Sequence, residues 1–172
     1  AQGLLGRVYD HLDDTDGKHK KQAIAAFQQQ LRTIDKRTQP DEWASLQRDL
    51  GVRYMHGWRS VSDQEHAIRA CQEALAVLTG DDDDVFRALV QMDLGTVLLE
   101  RRKGKRRRNL EQAVELFNAA IHALEPEFIV VFSWVYTLRA RAFEQLGRFA
   151  EAHESLKGAR RVSDLFSERG NT

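Results

Sequence analysis

The chain has 172 residues, 42% of them hydrophobic, enough to bury a core as one folding unit. Its 26 basic and 26 acidic residues balance, which excludes a global field drawing in nucleic acid or an anionic membrane. A lone cysteine, Cys71, excludes an internal disulfide, and no apolar run approaches the roughly 20 residues that span a bilayer. The expectation is a cytoplasmic protein without a cofactor.

Apolar and polar residues rarely alternate, so no strand is expected, and the chain reads as eight helical segments. The first, about 3–12, carries Leu4, Leu5, Val8, Tyr9 and Leu12, and the polar stretch 13–17 breaks it. The second, about 18–36, puts Ala23, Ile24, Phe27, Leu31 and Ile34 on one face. Pro40 places a loop at 38–41. The third helix holds Trp43, Leu46, Leu50, Val52 and Tyr54 and ends near Gly57. Ser62 with Glu65 has the capping-box spacing for the start of the fourth, and Gly80 suits its end. The acidic run 81–84 opens the fifth, through Phe86, Leu89, Val90, Leu94 and Leu98. Arg108 or Asn109 begins the sixth, with Leu110, Val114, Phe117 and Ile121. Glu125 and Pro126 precede the seventh, with Phe128, Val131, Phe132, Val135, Leu138 and Phe143, and Gly147 turns into the eighth, with Phe149, Leu156 and Val162.

Three of these helices repeat an alanine pair seven residues apart: Ala67/Ala74, Ala113/Ala120 and Ala152/Ala159. Each follows a helix with a small residue inside it, Gly51, Gly95 or Ala140. The steps between those are 44 and 45 residues. Small residues at fixed places mean close helix approach repeated with one geometry, an array of antiparallel helical hairpins.

The chain resembles the tetratricopeptide repeat family, bacterial-type arrays included. In the last copy Tyr136, Ala140, Phe143, Gly147, Ala152, Leu156 and Ala159 fall at its bulky, small, aromatic, turn, small, bulky and small positions. Gln47, Leu50, Gly51, Tyr54, Ala67, Cys71 and Ala74 match in an earlier copy, and Leu94, Gly95, Leu98, Ala113, Phe117 and Ala120 in another. The resemblance implies an all-α, right-handed solenoid of antiparallel helix pairs. It divides the chain into a degenerate capping pair at 1–40, repeats at 41–80, 81–126 and 127–164, and a tail at 165–172.

It also implies that the first helix of each pair lines a concave groove. Offsets from the small residues place Arg48, Val52, Met55 and His56 there, then Leu89, Met92 and Thr96, then Trp134, Thr137 and Arg141. Thioethers and an aromatic anchor beside arginines suit a peptide or helical segment of a protein partner. Family members that clamp a C-terminal carboxylate need asparagine or basic groups where this chain has Asp49, Val52 and Asp93, which disfavours such a tail receptor.

The run 101–108 places seven cations in eight residues. At a helix C-terminus cations complement the dipole, so a solvated turn leads. Arg101, Arg102, Arg106, Arg107 and Arg108 are also candidates for contact with an acidic partner. Nucleic acid is the least favoured occupant, since no aromatic interleaves the run. The six histidines show no metal-binding spacing, and no phosphate-cradling glycine loop or nucleophile elbow is present, so no enzyme, metal or membrane role is expected. The leading expectation is a non-catalytic interaction scaffold. The alternative is a regulatory or oligomerisation module of a signalling or protease-associated protein, forming a homodimer through Leu165 and Phe166 of its last helix.

Overall fold

The computed structural model describes residues 18–56, 60–79, 84–124 and 129–169, without the side chains of 129–130, 163 and 165–169. Those residues form seven helices and no strand: α1 Lys18–Leu31, α2 Pro40–Met55, α3 Val61–Leu75, α4 Asp84–Glu100, α5 Arg106–Ala123, α6 Ile129–Gln145 and α7 Phe149–Arg169. The helix expected over 3–12 lies outside the described residues. The chain divides into two compact units, Ala1–Asp81 and Asp82–Thr172.

In the first unit α2 packs between α1 and α3. Ala23 and Phe27 of α1 meet Leu46 and Leu50 of α2 and Ala70 of α3, with Ile24, Leu31, Ile34 and Tyr54 against them. Helix α1 stops at Leu31, earlier than its apolar periodicity suggests, because side chains offer the backbone other partners. The Thr33 hydroxyl donates to the Gln30 carbonyl at 2.8 Å, and the Asp35 carboxylate accepts the Arg37 backbone N–H at 2.9 Å. That bond, with the Arg37 guanidinium, holds the Asp35 carboxyl below its ordinary range. Pro40, expected in a loop, opens α2, where its missing N–H has no helical partner to lose and its fixed φ suits the first turn. Ser60, not Ser62, caps α3 by accepting the Asp63 N–H at 3.0 Å. Helix α3 ends at Leu75 with Ala76 as its C-cap, and Gly80 lies outside the described residues.

Lys20 ties the unit's helix ends together. Its ammonium donates to the Tyr54 carbonyl at 3.2 Å and the His56 carbonyl at 3.0 Å, at the C-terminus of α2, and pairs with Asp63 of α3 at 3.2 Å. Cations are favoured at that helix end and can satisfy its open carbonyls.

In the second unit each helix packs on the next, and α4 also touches α6. The small positions are where the close approaches occur: Ala113, Ala120, Ala140, Ala152 and Ala159 are all buried. A Cβ at Gly95 would stand 2.7 Å from the Phe117 ring, and one at Gly158 would stand 2.5 Å from Tyr136. Helix α6 ends in a Schellman motif around Gly147 (φ +74°). The Arg148 N–H reaches the Phe143 carbonyl at 2.9 Å, and the Gly147 N–H reaches Glu144 at 3.0 Å. The three helices are cross-linked by half-buried Arg139. It donates to Asn118 of α5 at 2.8 Å and Ser155 of α7 at 3.1 Å, and lies 4.9 Å over the Tyr136 ring. Desolvation lowers its pKa, an effect Tyr136 opposes.

Candidate functional site

Leu89, Met92 and Thr96 recur at helical spacing and share one face of α4, and Trp134, Thr137 and Arg141 do the same on α6. The α4 residues are half-buried and the α6 residues exposed, Trp134 by 59%. That exposure contrasts with its own helix, where Val135, Leu138, Ala142 and Phe143 are buried. Both threonine hydroxyls bond back to their own helices, Thr96 to the Met92 carbonyl at 2.8 Å and Thr137 to Ser133 at 2.9 Å. Their protons are committed there, which leaves the middle of this face mainly apolar.

At the C-terminal ends of α4 and α6 the chemistry changes. Arg141 pairs with Glu100 at 2.7 Å, joining the two helices, and Arg106 at the start of α5 donates to the Gln145 side chain. The turn between α4 and α5 carries the basic run. Gly104 adopts φ +86°, and buried Asn109 holds the turn from below, donating to the Lys103 carbonyl at 2.9 Å and accepting from Arg101 at 3.5 Å. Residues 102–108 are exposed. A hollow of about 430 Å³ is lined by Glu100, Arg101, Arg102, Gly104 and Arg106.

The expected dipole argument covers only part of this run. Arg101, Arg102 and Lys103 follow the C-terminus of α4, where cations are favoured. Helix α5 begins at Arg106 rather than at Arg108 or Asn109, so Arg106, Arg107 and Arg108 form its first turn, with no side-chain cap and no acidic residue. Three cations there oppose the helix dipole. Arg107 is compensated locally by Glu111 at 2.9 Å.

The other expected groove residues, Arg48, Val52, Met55 and His56, lie on or just beyond α2 in the first unit. The first three are half-buried and share a face, and His56 is exposed, its carbonyl held by Lys20. Beside them, burial raises the Tyr54 pKa, with the Asp63 carboxylate adding to the effect and a hydrogen bond from Gln28 opposing it. Leu165 and Phe166 fall within α7, but their side chains lie outside the described residues. On the same helix Phe149 is 71% exposed and Leu156 43%.

Sequence reasoning missed Glu100 and Gln145, which join the apolar face to the basic turn. The 45-residue repeat step was the available signal: it sets Thr96 opposite Arg141, and Glu100 follows Thr96 by one helical turn. Among the described residues no three His, Cys, Asp or Glu side chains group as metal ligands, and no helix is long and apolar enough to cross a membrane.

No family model and no curated protein matches the chain. Solved structures do. One described as MamA superposes with a TM-score of 0.70 at 21% identity, over 97% of this chain and 79% of that one. BtubC (BKLC) from P. vanneervenii superposes with a TM-score of 0.75 at 16% identity, over 96% of this chain and 63% of that one. A second MamA structure gives 0.60 at 20% identity, over 97% and 74%. The fold is therefore all-α, of the tetratricopeptide-like helical-repeat type.

Proposed function

We propose that this chain is a non-catalytic protein-interaction scaffold. It takes a peptide or helical segment of a partner on the face formed by Leu89, Met92 and Thr96 of α4 with Trp134, Thr137 and Arg141 of α6. The observation that carries this reading is Trp134, a large apolar side chain left 59% exposed on a helix that buries Val135, Leu138 and Phe143. Exposed aromatics beside flexible thioethers are typical anchors for a partner segment, and a helix framework presents them without an ordering cost. The fold shared with MamA and BtubC is consistent with a binding scaffold. The one cysteine, Cys71, is buried and in no disulfide, which suits a reducing compartment and is in keeping with a cytoplasmic role.

The test is an arrayed peptide library probed with labelled protein, followed by titration of each ligand against Trp134→Ala. We expect losses of about 2 kcal/mol, roughly thirty-fold in Kd, with helicity unchanged by circular dichroism. A library that yields no ligand, or ligands indifferent to Trp134, would refute the reading.

The exposure of Phe149 and Leu156 supports a second reading, self-association through α7. Light scattering coupled to size exclusion tests it directly. A dimer of the 19.7 kDa chain that persists in high salt and is lost in Phe149→Ser would favour α7 as the principal interface, while a monomer at every concentration would remove that reading.

A further inference from the structure

The following rests on the α4/α6 face as a peptide-binding surface. We infer that this face is polarised along its length. It takes a protein segment whose apolar residues lie against Leu89, Met92 and Trp134, and whose acidic residues follow at the C-terminal ends of α4 and α6. There Glu100 occupies Arg141 in the segment's absence and gives way when the segment binds.

Three features converge on that corner. The first is direction. Helix α5 packs against both α4 and α6, and its first residue, Arg106, bonds Gln145 while Arg141 bonds Glu100. The ends of α4 and α6 therefore meet at the basic turn. The second is charge. The run 101–108 carries seven cations with Arg141 beside them; Arg107 pairs with Glu111 and Arg141 with Glu100. Arg106, Arg107 and Arg108 stand where the α5 dipole and their mutual repulsion both favour an incoming anion. The opposite end of α4 is different, since Asp84 there pairs with Arg87 at 3.0 Å.

The third feature is Glu100 itself, a carboxylate already seated on Arg141 beside the hollow of about 430 Å³. Both partners are about half exposed, so the bridge is of the weak kind that another carboxylate can replace. Glu100 thus acts as an internal competitor, and it displays the ligand chemistry that Arg141 accepts. An acidic protein segment fits both halves of the face. A nucleic-acid backbone has no apolar side to set on Leu89 and Met92, and the cations are gathered in one turn rather than along a stripe.

The experiment uses arrayed peptides in which one apolar core is followed, in separate members, by glutamate, glutamine or lysine. The full chain is compared with Glu100→Gln, the double variant Arg101→Glu/Arg106→Glu, and Trp134→Ala, each checked for helicity. We expect the glutamate members to bind best. Glu100→Gln should tighten those members about 2- to 5-fold and leave the glutamine members unchanged. The double variant should weaken the glutamate members by about ten-fold and shift preference toward lysine, while Trp134→Ala weakens glutamate and glutamine members alike. Equal binding of all three classes, or indifference to Glu100→Gln and the double variant, overturns this inference and leaves the peptide-binding reading standing. No binding to any member, or indifference to Trp134→Ala, overturns that reading as well. Labelled duplex DNA bound in place of the glutamate members overturns the inference in favour of a nucleic-acid partner.

Discussion

Helices α5 and α7 are built from one pattern and end in different environments. Leu110, Ala113, Phe117 and Ala120 of α5 have the same spacing as Phe149, Ala152, Leu156 and Ala159 of α7. The alanines are buried in both. Leu110 and Phe117 are 2% and 0% exposed, whereas Phe149 and Leu156 are 71% and 43% exposed. The alanine side of each helix packs on the helix before it, α4 or α6. The bulky positions also depend on what lies beyond. Helix α5 is enclosed between α4 and α6, while within its unit α7 packs on α6. The pattern within a helix thus specifies its pairing, and a second neighbour decides whether its large side chains are covered.

The sharpest way to break this comparison is to truncate the two equivalent bulky positions. Phe117→Ala should cost about 3–5 kcal/mol in chemical denaturation, because the enclosed site cannot collapse around the loss. Adding one carbon at the close approach comes next. Gly95→Ala should cost about 1–3 kcal/mol, since its Cβ meets a Phe117 ring with no free space to retreat into. Gly147→Ala, at the turn joining α6 to α7, should cost about 1 kcal/mol through its positive φ alone, because nothing crowds the added Cβ.

Leu156→Ala, the counterpart of Phe117→Ala, should then change stability by less than about 0.5 kcal/mol. A cost similar to that of Phe117→Ala would mean that the α7 face is covered in solution. The smallest effect is on pH dependence. The Arg148 guanidinium and the Lys157 ammonium hold the carboxyls of Glu151 and Glu154 below the ordinary range. Their folded-state pKa values are depressed, so the stability they lend to α7 is present above the ordinary glutamate pKa and is lost as pH falls through the folded values. Acid-side thermal scans should show a slightly steeper decline for the wild type than for Arg148→Gln/Lys157→Gln.

Much of the repeat geometry was legible because close helix approach leaves a one-letter trace. Gly95 and the paired alanines are small where a larger residue would collide. Helix ends were less legible, since several residues competed for each role. Ser60 and Ser62 both have an acidic residue three positions on, and only the fold shows that Ser60 supplies the cap. Pro40 reads equally well as the end of one helix or the start of the next. Trp134 was identifiable as a candidate anchor, but its exposure was not. Val131, Phe132, Val135 and Leu138 surround it, so α6 is apolar on nearly every side and periodicity does not single out the outward residue. Glu100 leaves no local pattern as a partner of Arg141, 41 residues away, and only the repeat step brings the two positions together.

Lys20 gives the first unit a chemical reporter. Its side chain is only 15% exposed, and its ammonium is held against two carbonyls and a carboxylate by the attachment of α1. An amine-reactive reagent reaches that nitrogen freely only when α1 lifts away, so the acylation rate of Lys20, followed by mass spectrometry, measures how often the helix detaches. The acylated product loses its charge and keeps one N–H donor where the ammonium served three partners, so labelling also disfavours reclosure.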